Sequence, residues 1–125
     1  MIRTIASIFI TLALILGVSL FEIAYVQETF EDFSATIISL RHKIEEGIAT
    51  YQDGISVQNY WRKKRDILHI WVPHTSLQEL DYQLDETIGL LYTGDHVAAL
   101  PKIEVVEGLA ENIPQLYTFR LGNIF

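Results

Sequence analysis

The stretch from Thr4 to Phe21, TIASIFITLALILGVSLF, holds eighteen residues without a charge between Arg3 and Glu22. At about 1.5 Å of rise per residue, a helix of that length covers roughly 27 Å, close to the hydrocarbon thickness of a bilayer. Ile, Leu, Val and Phe fill eleven of its positions. At roughly 0.3–0.6 kcal/mol each near a helix centre they favour insertion by about 3–7 kcal/mol, an upper range because terminal positions count for less. The run predicts a transmembrane helix, with the lipid bilayer as the partner of residues 4–21.

A secretory signal has a charged start, a short apolar region and small residues before the cut. Met1-Ile2-Arg3 supplies the start, but the apolar run is longer than a typical signal core. The segment SLFEIAYVQ at its carboxyl end offers no Ala-x-Ala site. An uncleaved anchor is therefore preferred over a cleaved signal or a buried core helix. Arg3 precedes the run, while Glu22, Glu28, Glu31 and Asp32 come after it and before the next basic residue, Arg41. Positive charge stays on the cytoplasmic side, so the amino terminus is expected inside and the remainder outside. This divides the chain into an anchor, 1–26, and an extracytoplasmic domain, 27–125.

About one hundred residues remain for that domain, enough for one modest core and not for two. From Glu22 onward there are 16 acidic and 8 basic residues, a net charge of −8. Such a surface argues against nucleic acid, whose phosphates need an excess of Lys and Arg. The absence of cysteine removes disulfides, thiolate catalysis and cysteine-bound zinc.

Phe30, Phe33, Ile37, Leu40, Ile44, Ile48 and Tyr51 succeed one another at spacings of three and four, one stripe on one helical face. No proline stands before Pro73, so the membrane helix is expected to continue directly into this striped helix, with Asp53-Gly54 as its stop. A second helix is predicted from about Ser56 to Val72, with Val57, Tyr60, Trp61, Leu68, Trp71 and Val72 inward and Pro73 ending it. Ser76-Leu77-Gln78-Glu79 reads as a capping box for a third helix, striped by Leu77, Leu80, Leu84, Ile88 and Leu91. Thr93-Gly94-Asp95 closes it and caps the next. A fourth segment carries Leu100, Ile103, Val106, Ala110, Ile113, Tyr117 and Leu121, with a kink or break expected at Pro101 and Pro114. No alternation of period two competes. The expected fold is all-α: an N-terminal transmembrane helix running into an antiparallel, hairpin-like bundle of three to four helices.

Several features in order resemble domain-of-unknown-function family 4363, small single-pass bacterial membrane proteins. They are the N-terminal apolar helix, the amphipathic helix behind it, Trp61 in the next helix, and His74 before a Leu-rich helix. Gly94-Asp95 with Ala98 and Ala99, and the closing Asn123 to Phe125, complete the set. The likeness covers nearly the whole chain. It implies topology and fold, and adds no chemistry, because the family has no assigned activity.

Candidate sites are few. The histidines, His42, His69, His74 and His96, include no pair at i and i+4, the spacing a helix-borne zinc site needs, so no metal or other cofactor is expected. Glu79, Asp81, Asp85, Glu86, Asp95, Glu104, Glu107 and Glu111 crowd the third and fourth segments. They mostly lie opposite the leucine stripe, as a solvated face would; a cation-binding or acidic docking face is the alternative. No nucleophile stands beside a base, and no Gly-rich phosphate loop occurs, so no catalytic residue is assigned and the chain is expected not to be an enzyme. Arg62, Lys63, Lys64 and Arg65 wrap around one turn of the second helix. They are expected to pair with neighbouring acidic faces, or to meet anionic headgroups. With Trp61 and Trp71 they form the candidate interaction residues. The expected function is a membrane-anchored module that binds a protein partner or itself; the rival is a ligand- or cation-binding domain.

Overall fold

The uncharged run and the striped segment behind it form a single helix, α1, Ile2–Glu45. Its 44 residues reach about 66 Å. The computed structural model describes the backbone of residues 1–70 and 72–124 and the side chains of residues 1–70 and 72–115. Three further helices complete the chain, α2 Tyr51–Leu68, α3 His74–Tyr92 and α4 His96–Ile124, and no strand forms among the described residues.

The two halves of α1 have opposite surfaces. Its most apolar eighteen-residue window is 0 % buried. Val26 is the first fully buried residue, followed by Phe30, Phe33, Ile37, Leu40 and Ile44. α1 packs against α2 and α4, and α3 packs against the same two. The helices therefore stand in a ring, with α1 opposite α3 and each sequence neighbour antiparallel to the last. The stripes of all four meet at its centre, around Trp61, Phe30, Phe33, Leu80, Leu84, Ile103 and Val106. The stripe on α1 is consumed inside its own chain.

Several boundaries differ from the sequence reading. α1 stops at Glu45, not at Asp53-Gly54. Gly47 takes φ +71, its N–H donates to the Ile44 carbonyl at 3.0 Å, and the Ile48 N–H reaches the Lys43 carbonyl at 3.0 Å. That is a Schellman motif, which only a residue free of Cβ strain closes cheaply. Ile48 and Tyr51, the last members of the expected stripe, lie beyond it and are exposed. α2 begins at Tyr51, not Ser56, because Thr50 and Asp53 form a reciprocal capping box: the Thr50 hydroxyl accepts from the Asp53 N–H at 3.1 Å, and the Thr50 N–H donates to the Asp53 carboxylate at 2.9 Å. Gly54 thus sits within α2 and is buried. A Cβ there would stand 3.1 Å from Ile88, so its smallness sets how closely α2 approaches α3.

The capping box expected at Ser76 does not form. α3 starts three residues earlier, at His74, with Pro73 in place of Ser76 at the cap and no side-chain cap hydrogen bond. Proline carries no N–H needing a partner and its φ of −54 already suits a helix entry. Gly94, at φ +75, ends α3 with the same Schellman pattern, and the Asp95 carboxylate accepts from the Ala98 N–H at 3.0 Å, as its position suggests. The break expected at the prolines is absent: α4 runs through both Pro101 and Pro114. Each removes one backbone hydrogen bond, but Ile103, Val106, Ala110 and Ile113 on the same helix are buried, which offsets the loss. The Tyr117 and Leu121 side chains lie outside the described residues.

Asp53 links this cap to pH. The Thr50 backbone N–H, more than any other group, holds its carboxyl below the ordinary carboxylate range; Lys43, 3.2 Å away, acts in the same direction while desolvation opposes both. A carboxyl depressed by folding adds stability above its unfolded pKa of about 3.9, and that stability disappears as pH falls through the lower folded value. Asp53→Asn should therefore melt below the parent at neutral pH and converge with it in acid. Thermal melts of both proteins from pH 7 down to pH 2 check this; a gap that persists in acid would contradict it.

Candidate interaction surface

The basic run occupies the second half of α2, whose inner side carries Trp61. Trp61 is 1 % exposed, so it is a core residue and presents no ring to a partner. Its ring lies 4.7 Å from Phe33 and 5.9 Å from Phe30, between centroids, and its indole N–H donates to the Asp81 carboxylate at 2.6 Å. The other oxygen of Asp81 stands 2.8 Å from Arg65 Nε. That contact lies off the N–H direction and is a charge pairing, not an aligned hydrogen bond. One carboxylate on α3 thus fastens two residues of α2. One turn further along α3, Asp85 accepts from the Gln58 side-chain amide at 2.7 Å. These groups line a cleft of about 260 Å³ between α2 and α3.

The rest of the run is divided. The Lys64 ammonium lies 5.7 Å from the centre of the Tyr60 ring, while Arg62 and Lys63 are exposed. The expected pairing with acidic neighbours therefore holds for Arg65 alone within this run. Trp71 lies outside the described residues.

The acidic residues mostly have structural partners. Glu107 pairs with Arg41 at 2.8 Å, Glu86 with Lys102 at 2.8 Å, Asp95 caps α4, and Asp81 and Asp85 serve α2. Glu104 and Glu111 remain exposed. Among the described residues no three His, Asp or Glu side chains are arranged to hold a metal ion. His69 and His74, which flank the proline turn, do meet, with ring centroids 5.2 Å apart. His96 bridges the two far turns, its Nε2 lying 2.8 Å from the Ala49 carbonyl.

One groove was not visible in the sequence. It lies between α1 and α4, has a volume of about 530 Å³, and is floored by Phe30, Ile38, Ala110 and Pro114, with Glu31 and Glu111 on its rim. Ser34 and Ala35 keep the wall low. An apolar floor with a carboxylate rim suits an amphipathic helix bearing basic residues. Nothing in the sequence pairs residues 27–38 with 110–115, because only the antiparallel return of α4 brings them together.

Neither a curated protein nor a solved structure matches this chain. A family model does, over residues 20–124, beginning at the end of the apolar run and covering the bundle. Since that match takes in most of the sequence, the chain belongs to the family described as a domain of unknown function, DUF4363.

Proposed function

We propose that this chain is a single-pass membrane protein whose bundle stands outside the cytoplasm and serves as a docking or structural module for a protein partner or a second copy. The observation that carries the reading is the change of surface along α1. Residues up to Phe21 expose their large apolar side chains, while from Val26 onward the same helix is buried in the bundle on one face. Leaving Ile8, Phe9, Leu12, Leu14 and Leu16 in water is unfavourable, and lipid removes that exposure. Arg3 before the run supports the orientation. The acidic-rimmed groove between α1 and α4 is where the partner's helix would lie.

Membrane fractions washed in alkaline carbonate test the anchor, and parent protein should stay in the pellet. Leu12→Arg with Ile15→Arg replaces about 3–7 kcal/mol of favourable insertion by a net penalty, at roughly 2.5–3.5 kcal/mol per arginine, and should release the protein. The chain has no cysteine, so Val97→Cys at an exposed far-end position reports topology alone. An impermeant maleimide should label it in intact cells; labelling only after lysis would reverse the orientation. For the groove, a photoreactive residue at Ile38 should give discrete crosslinked products that Ala35→Trp abolishes while the melting temperature holds. Crosslinks indifferent to a filled groove would remove it as the docking site.

A further inference from the structure

The bundle has a near end and a far end relative to the anchor, and the near end is chemically distinct. Register fixes its height. Lys43 of α1 pairs with Asp53 of α2, and Phe30 and Phe33 with Trp61, so α2 descends antiparallel toward the apolar half of α1. Continued at about 1.5 Å per residue, that register sets Ile70 level with about Tyr25, roughly 6 Å above Phe21. The headgroup layer is about 5–7 Å thick on each side of the hydrocarbon. Phe21 and Tyr25 stack at 6.2 Å at this level, as an aromatic belt would.

At that height one large apolar side chain faces outward, and a second, on α2, does so about 4.5 Å higher. Ile70 is 72 % exposed and Ile67 44 %. One to two turns higher come Arg62, Lys63 and Lys64, held on the same descending helix. Asp66 shares this end, and Glu22, Glu28, Glu31 and Asp32 stand near these levels on α1, so the attraction comes from the local run and not from the domain, whose net charge is opposite.

We propose that the α2–α3 end of the bundle docks on the membrane that holds α1, with Ile70 entering the headgroup layer, Ile67 at its outer edge, and Arg62, Lys63 and Lys64 drawn to anionic lipid. The proposal rests on the anchor reading and goes beyond it: the anchor needs only residues 4–21, whereas docking fixes the tilt of the whole domain. Apolar tips below cations match the depth profile of a bilayer interface, with hydrocarbon beneath phosphate.

Full-length protein in vesicles tests this with single environment-sensitive labels. Ile70→Cys reports the near end, Ile48→Cys, also exposed, reports the far end, and Leu14→Cys reports the anchor. In phosphatidylglycerol vesicles, lipid-borne quenchers should reach the labels at 14 and 70 and not the label at 48. Arg62→Gln with Lys63→Gln should lower the docked-to-undocked ratio by about tenfold, because each cation near an anionic surface adds a factor of about five and screening trims the pair. Phosphatidylcholine should have the same effect. A label at 70 as unquenched as that at 48, with the one at 14 quenched, overturns the docking and spares the anchor. An unquenched label at 14 overturns both, and quenching at 70 that ignores charge and lipid overturns the anionic assignment.

Discussion

Trp61→Ala should lower the melting temperature of the bundle by more than about 12 °C. Emptying a fully buried tryptophan site costs about 3–5 kcal/mol, and each kcal/mol moves the melting point of a domain this size by about 4–8 °C. Three losses coincide at this position. The ring contacts with Phe30 and Phe33 disappear, a large cavity opens where α1 meets α2, and Asp81 loses the indole donor. Since small domains are stable by only about 5–15 kcal/mol, much of the total is at stake. Trp61→Phe separates the parts: it keeps most of the packing and removes the hydrogen bond, worth about 0.5–3 kcal/mol with a charged acceptor. Circular dichroism melts of the full chain in detergent would check both. A melting point within two or three degrees (about half a kcal/mol) of the parent for Trp61→Ala would show that the α1–α2 contact is not the centre of the core.

Ile37→Asp is the second large effect. Ile37 is fully buried and Ile44 nearly so, both within their own chain. An aspartate at 37 would be ionised without a partner in the core, or would stay protonated at the cost of a raised pKa; either route removes several kcal/mol. The bundle should unfold while the apolar half of α1 stays in the micelle, so helical signal falls without loss of that segment. Ala35→Asp, two residues away at an exposed position, is the control and should melt within about 0.5 kcal/mol of the parent. The opposite outcome is equally readable. A folded monomer from Ile37→Asp, where the parent is a dimer, would mean that the stripe is an intermolecular seam.

The elements themselves were legible because each helix announces its inner face at a spacing of three and four. Leu77, Leu80, Leu84, Ile88 and Leu91 are expected inward from that spacing and are all buried. Boundaries were less legible, for local reasons. Asp53-Gly54 looks like a stop in isolation, but Gly47 had already ended α1, and Thr50 was free to recruit Asp53 as a cap. Ser76 looks like a cap, but Pro73 supplies a helix entry three residues earlier. Prolines 101 and 114 look like breaks, and the buried residues around them hold α4 together. In each case two acceptable local signals competed, and packing chose between them.

The surface was least legible. Trp61 and the basic run are adjacent in sequence, which suggests one shared site; the helix turns the ring into the core and leaves Arg62 and Lys63 in solvent. Asp81, twenty residues away from Trp61, carries no mark of being its acceptor.

From sequence alone came the apolar half of α1, the four striped helices, the glycine turn at Gly94 and the acidic charge of the body, since these depend on composition and short-range periodicity. The tertiary structure decided which helices are neighbours, where the α1–α4 groove opens, what holds Trp61, and which apolar residues are left at the end nearest the apolar half of α1. Those depend on residues far apart in the chain meeting at a common height, and a helical repeat fixes the face a side chain takes without fixing what stands opposite it.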